Sequence, residues 1–326
     1  MIIPEGWFTE EPNKKTGRKI MIYKLFPECK DYVWGGERLK TEYGKVTDKT
    51  PCAESWELSF HKDGLTRIAD GRTLREVVTK DDLGKNCERF KFFPMLVKFI
   101  DAKQNLSVQV HPSDDYALKY ENSYGKTECW YIVDATDGAG IYCGFKRDTN
   151  EKEFLEYLNS GKVEELLNLI PVKKGECYFI ASGTVHAIGA GCLICEVQQN
   201  SNLTYRVYDY NRRGADGKPR ELHIDKAVKV INFKKYDPVS FADIASGVAK
   251  TIAECDYFRL RKLDLKGGYS AVNAGSFTCV NVVEGSGTIN GETFKKGDGF
   301  FVTAAQKFTI AGNATVLLTD VPPAKE

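Results

Sequence analysis

The chain has 326 residues, 42% of them hydrophobic and 28% charged, and a formal net charge of +1, enough for two domains or one large all-β domain with additions. Basic and acidic side chains, 46 against 45, are interspersed, so no field of one sign suggests nucleic acid or a membrane surface, and any anion is bound locally. No window nears the roughly 18 consecutive apolar residues of a membrane span and the Met1-Ile-Ile start is too short for a signal-peptide core, so a cytoplasmic protein is expected.

Residues 1 to about 20 are polar and rich in Pro, Lys and Gly, and read as an extension laid over the surface. In Tyr32-Val-Trp-Gly-Gly36 the glycine pair turns the chain after an aromatic strand. The alternation of Ala53-Glu54-Ser-Trp56-Glu57-Leu-Ser59 predicts a strand with Trp56 and Leu58 on one face and Glu57 and Ser59 on the other. Residues 73–78 form a short helix capped by Thr73. Residues 95–101, Met-Leu-Val-Lys-Phe-Ile-Asp, read as a buried strand carrying one misplaced charge, Lys98. A charge there needs a partner, and an anionic ligand is one candidate.

In the next strand, Ser107-Val-Gln-Val-His-Pro112, Gln109 and His111 are two apart and so share a face. Lys126 and Glu128 share a face of the strand that follows Gly125. Residues 151–170 have the apolar spacing of two short amphipathic helices broken at Ser160-Gly161. Strands resume at Lys174, turn at Ala181-Ser-Gly183, and present His186. Arg206 lies on the face of Thr204 and Tyr208, residues 221–231 are helix-like, and residues 232–250 form a linker. From Thr251 the pattern is short strands with glycine turns at Gly285-Ser-Gly287, Asn290-Gly291 and Lys296-Gly-Asp-Gly299, with no histidine. The ten cysteines are scattered through apolar segments, as reduced core thiols are; Cys192 and Cys195, three apart on a strand, point to opposite faces. His61 and His223 read as structural residues without partners.

The order Gln109-x-His111, then Glu128, then Gly175-x5-Ala181-Ser-Gly183-x2-His186 follows the two-motif pattern of the cupin barrel, with Gln109 where many cupins carry a first His and Ala181 where the turn often has Pro. Two histidines, a carboxylate and an amide oxygen suit zinc or another first-row divalent metal. Residues 105–112 (Asn-Leu-Ser-Val-Gln-Val-His-Pro), 125–131 (Gly-Lys-Thr-Glu-Cys-Trp-Tyr), 183–189 (Gly-Thr-Val-His-Ala-Ile-Gly) and 196–209 resemble the signatures of type I mannose-6-phosphate isomerases in their short bacterial form, and the likeness covers roughly residues 22 to 320.

That resemblance implies a mainly β fold of two cupin-like jelly-roll barrels with short helical insertions. Residues 1–245 would be the catalytic unit and residues 246–326 a metal-free second barrel. It implies one Zn2+ per chain on Gln109, His111, Glu128 and His186. It also implies Lys98, Lys126 and Arg206 facing a small phosphorylated sugar, with Arg206, Lys126 and Glu196 as the catalytic candidates. Longer members have a His before the Lys-Pro-Glu, whereas here Gly125 precedes Lys126-Thr-Glu128. The expected reaction is the interconversion of mannose 6-phosphate and fructose 6-phosphate by a monomer or homodimer. Its rivals are an iron cupin oxygenase, which uses the same two-histidine, one-carboxylate set, and a non-catalytic sugar-phosphate sensor on the same fold.

Overall fold

Period-two alternation along the strands builds the molecule in layers. The computed structural model describes residues 22–214, 217–238, 240–241 and 247–325, so the extension expected at residues 1 to 20 lies outside the described residues. In the strand Met95–Asp101, Met95, Val97 and Phe99 join one apolar layer while Ile100 joins another and Lys98 faces with it. This strand sits inside a seven-stranded antiparallel sheet with Glu28–Lys30, Glu54–Leu58, Cys192–Gln199, Glu128–Ala135, Cys177–Ile180 and Ser240–Phe241. A five-stranded antiparallel sheet runs Leu167–Pro171, Gly140–Phe145, His186–Ile188, Val108–Val110, Tyr205–Tyr208. Side chains of both sheets, among them Ile100, Trp130, Ile141, Ile188 and Ile194, pack between them.

The outer face of the five-stranded sheet is covered by the helix Glu151–Asn159 through Phe154 and Leu158, and by Ala227 of the helix Ile224–Ala227. The outer face of the seven-stranded sheet packs against Leu260, Phe301 and Leu317 of a third sheet and against Phe277, just before one of its strands. That sheet takes in Lys250–Glu254, Arg259–Val272, Thr278–Ile289, Glu292–Lys295, Gly299–Val302 and Lys307–Asp320. Its other face closes on a wholly apolar interior of Leu263, Val280, Val282, Phe300, Val302, Phe308, Val316 and Leu318. Each such side chain stabilises the fold by roughly 1.5–3 kcal/mol through burial. The fold is thus mainly β, in two cupin-like jelly-roll units with short helices. The strand Ile22–Leu25 pairs with Gly299–Val302, so a sequence division at 245 leaves one strand of the second unit's sheet in the first segment.

Several local expectations change. Register slips between Trp56 and Leu58: Trp56 faces Lys98 while Leu58 faces Val97. This β-bulge adds one residue and puts Trp56 and Leu58 on opposite faces, not on the same one. Of the two helices expected over 151–170, the first forms, with the Asn150 side chain accepting the Glu153 N–H at 3.0 Å. The second shrinks to a 3-10 turn, Val163–Leu166, because Leu167–Pro171 is taken up as an edge strand against Gly140–Phe145. The helix over 221–231 shortens to Ile224–Ala227. The linker is partly built in: the Asn168 side chain donates to the Tyr236 carbonyl at 2.8 Å and Ser240–Phe241 pairs with Cys177 and Tyr178.

The tail contains long strands as well as short ones, and Gly285-Ser-Gly287 lies within Thr278–Ile289 instead of turning it. At Gly285 the backbone has φ +81 and an added Cβ would lie 2.1 Å from the Asn313 carbonyl oxygen, so glycine serves close strand approach there. Asn290-Gly291 is a hairpin turn as expected, both residues having positive φ. Cys192 and Cys195 point into different core layers.

Candidate metal centre

The two sheets of the first unit bring their polar residues together between them. On the five-stranded sheet, Gln109 lies directly opposite His186 on one neighbouring strand and Arg206 on the other, so the three residues form a row. His111, two residues on from Gln109, continues that face. On the seven-stranded sheet a second row runs Trp130, Glu196, Lys98, Trp56 across four strands. Glu128 and Glu54, each two residues from a tryptophan of that row, share its face.

His111, Glu128 and His186 are buried and each offers a ligand atom within 4.8 Å of the others. The imidazoles are oriented by the backbone: His111 Nδ1 donates to the Leu203 carbonyl at 2.9 Å and His186 Nδ1 donates to the Thr184 carbonyl at 2.8 Å. A carbonyl only accepts, so the protons sit on Nδ1 and both Nε2 atoms carry the lone pair a metal needs, that of His111 meeting the Lys126 ammonium at 3.2 Å. Burial holds the His186 imidazolium down at about 4, and burial together with the Lys126 charge holds that of His111 well below the ordinary value. Both rings are therefore neutral near pH 7, as metal ligands must be. Among the described residues, His186 Nε2 and Glu128 Oε1 have no hydrogen-bond partner, and they lie 3.4 Å apart. Such orphaned buried atoms are costly unless something binds them. The donor set therefore fits a divalent metal.

The charged groups around the triad are densely coupled. Lys126 Nζ is 2.6 Å from Glu128 Oε2, 3.2 Å from His111 Nε2 and 3.5 Å from Glu196 Oε1. Burial and the neighbouring Glu196 push the Glu128 carboxyl up to about 7 against the pull of Lys126. Burial also disfavours the Glu196 carboxylate, but Lys126, Lys98 and the Trp130 indole, which donates at 2.8 Å, outweigh it and hold it down at about 2. Lys98 Nζ sits 3.4 Å from both Glu196 Oε1 and Glu54 Oε2 and 5.1 Å from the centre of the Trp56 ring. The charge that the sequence leaves without a partner is therefore met by two carboxylates inside the protein.

Arg206 stands at the other end of the Gln109 row. Its Nη1 donates to the Glu221 carbonyl at 2.8 Å, while its buried Nε has no partner among the described residues. Beside it, Asp209 accepts from Arg220 at 2.6 and 2.8 Å and from Arg212 at 2.5 and 3.2 Å. Arg212 and Arg220 thus share one carboxylate, and their charges together with those of Asp209 and Glu221 act on the half-buried Arg206 guanidinium. Glu54, Asp209, Arg212 and Arg220 are not singled out by sequence reasoning. Glu54 was within reach, because it is two residues from Trp56 on one strand face; Arg212 and Arg220 sit in irregular chain with no periodic signal. His61 and His223 do have partners: His61 Nδ1 is 3.5 Å from Asp63 Oδ2 with its ring edge-on to Trp56, and His223 Nδ1 accepts the Arg206 N–H at 3.3 Å. The structure thus corrects the reading that leaves them alone.

Comparison with known proteins agrees with this architecture. The profile "Phosphomannose isomerase type I, catalytic domain" matches residues 22–142 and "Mannose-6-phosphate isomerase, cupin domain" matches residues 248–320. The mannose-6-phosphate isomerase ManA of Bacillus subtilis is 39% identical over 287 residues, 83% of this chain and 90% of that protein. The probable mannose-6-phosphate isomerase GmuF of the same organism is 37% identical over 316 residues, 92% of this chain and 99% of that protein. A crystal structure of mannose 6-phosphate isomerase from Bacillus subtilis superposes with a TM-score of 0.85 at 35% identity, covering 93% of this chain and all of that one (100%). The chain belongs to the type I phosphomannose isomerase family.

Proposed function

We propose that the protein interconverts mannose 6-phosphate and fructose 6-phosphate through an enediolate, with one Zn2+ held by His111, Glu128, His186 and Gln109. The observation that carries this reading is the convergence of two backbone-oriented imidazoles and Glu128 on one point, with Glu196 and Lys126 alongside. Moving a proton between C1 and C2 develops negative charge on two oxygens, and a bound divalent ion supplies the electrophile for them. Lys126 and Glu196 are the groups placed to hold or move the proton. Glu196, kept ionised by Lys126, Lys98 and Trp130, suits an acceptor, and Lys126 beside it suits a donor to a developing alkoxide.

Arg206 is the phosphate-binding candidate, because its Nε, without a partner among the described residues, and the neighbouring Arg212 and Arg220 offer fork-shaped donors. Lys98 fits a phosphate contact less well than the sequence suggests. Its ammonium lies between two carboxylates that would repel a phosphate, so we place it beside the reacting carbons.

The test is a coupled assay for fructose 6-phosphate on metal-replete protein, with metal analysis alongside. The expected result is turnover with zinc bound. Folded, metal-loaded protein that leaves mannose 6-phosphate unchanged, or iron with oxygen consumption, would overturn the proposal. Arg206→Ala is expected to keep its metal and lose kcat/KM by about 10²–10³-fold, the loss of one charge-assisted bidentate contact and its orientation; loss of metal in that variant would show that Arg206 supports the metal centre and is not the phosphate contact.

A further inference from the structure

The charged cluster around Lys98 contains a carboxylate that the proposed reaction does not use. Glu54 lies on Glu54–Leu58, is buried, and is not one of the three clustered ligand residues His111, Glu128 and His186. Its Oε2 accepts the Trp56 indole N–H at 2.7 Å and sits 3.4 Å from Lys98 Nζ. On the opposite side of the same ammonium the arrangement repeats: Glu196 accepts the Trp130 indole N–H at 2.8 Å and its Oε1 is also 3.4 Å from Lys98 Nζ. Each carboxylate is pinned by a tryptophan, and one lysine is suspended between them.

A buried ion pair is weak evidence for stability, since well-packed apolar side chains of the same volume do as well or better. Apolar side chains such as Ile100, Ile132 and Ile194 pack in the same layer. A charge kept here needs another reason, and the geometry supplies one. Without Glu54, the Lys98 ammonium would have Glu196 as its one close carboxylate and would be drawn onto it. With Glu54 in place the pull is balanced, and Glu196 Oε1 is shared between Lys98 and Lys126 at 3.4 and 3.5 Å. We infer that Glu54 is a positioning residue for the isomerisation: it holds Lys98 off Glu196 and so keeps the Glu196 carboxylate available at the reacting carbons. This rests on the reading of Glu196 as a proton-handling group.

The experiment is a double-mutant cycle of Glu54→Gln and Lys98→Met, with Glu196→Gln as reference and kcat, KM and metal content measured for each. Wild-type turnover with an inactive Glu196→Gln establishes the underlying reading; an active Glu196→Gln overturns that reading, and this inference with it. Given that, Glu54→Gln is expected to keep full metal content, to leave KM for mannose 6-phosphate within about threefold, and to lower kcat about 10–100-fold, as loss of an orienting partner does. In the Lys98→Met background the same change should lower kcat by less than about twofold, because its target is gone. An additive effect, an effect confined to KM, loss of metal, or unchanged kcat would each overturn the inference. Should Lys98→Met not fold, Glu54→Asp decides: a retained carboxylate is expected to return kcat to within about tenfold of wild type, and Asp no better than Gln would overturn it.

Discussion

The two units share strand architecture but fill their interiors with opposite chemistry. Between the sheets of the first lie Glu54, Lys98, His111, Lys126, Glu128, His186 and Glu196, all buried. Inside the second the corresponding space is taken by Val280, Val282, Phe300, Val302, Phe308, Val316 and Leu318. Removing charges from water costs several kcal/mol per ion even after relaxation, whereas each large apolar side chain buried contributes roughly 1.5–3 kcal/mol. The first interior is therefore a place where stability is given up for chemistry, and the apolar layers around it hold it in shape. The layer joining the seven-stranded sheet to the third sheet, with Phe99, Cys195, Phe277 and Phe301, couples the two units physically.

If this division is right, substitutions in the two interiors should fail in different ways. The largest effect is expected for His111→Ala, which removes a ligand: metal and activity should disappear together, with kcat down on the order of 10³-fold or more, given several kcal/mol of lost transition-state stabilisation. An active His111→Ala enzyme with metal absent would show that the first interior works without a metal. Leu318→Ala, in the apolar interior, should lower unfolding stability by about 2–5 kcal/mol in denaturant titration, while kcat and metal content per folded molecule stay at wild-type values. A changed kcat there would show that the second unit takes part in the chemistry.

A smaller effect sharpens the same contrast through pH. The imidazoles are already neutral, with His186 held down at about 4, so they do not compete for protons near neutrality. Glu128, pushed up to about 7 by burial and Glu196, does. The metal needs the carboxylate, so metal affinity should be level above about pH 7 and fall about tenfold per unit as pH drops below it. Chelator-competition titrations across that range would show the break; an affinity flat down to the ordinary carboxylate range would contradict it.

Much of the site was legible because strand periodicity and ligand chemistry agree. Two-residue spacing placed Gln109 with His111, and the turn at Gly183 delivered His186 opposite Gln109. What stayed hidden depends on pairing between distant segments. The bulge after Trp56 cannot be read from alternation, and it is what turns Trp56 and Glu54 toward Lys98 while Leu58 enters the core. The ammonium of Lys98 is unpartnered in a reading of its own strand because its two carboxylates arrive from residues 54 and 196. The strand Ile22–Leu25 completes a sheet whose other strands begin at Lys250. Glycines inside long strands imitate turn signals, as Gly285 and Gly287 do. Cross-chain register, set by tertiary packing, decided each of these.

The triad is proposed to hold one catalytic metal. This is tested most directly by stripping the protein with a chelator and restoring Zn2+ in measured steps while following fructose 6-phosphate formation. Negligible turnover is expected in stripped, folded protein, with a linear rise that levels off at about one equivalent per chain. Full turnover before any metal is returned would contradict it.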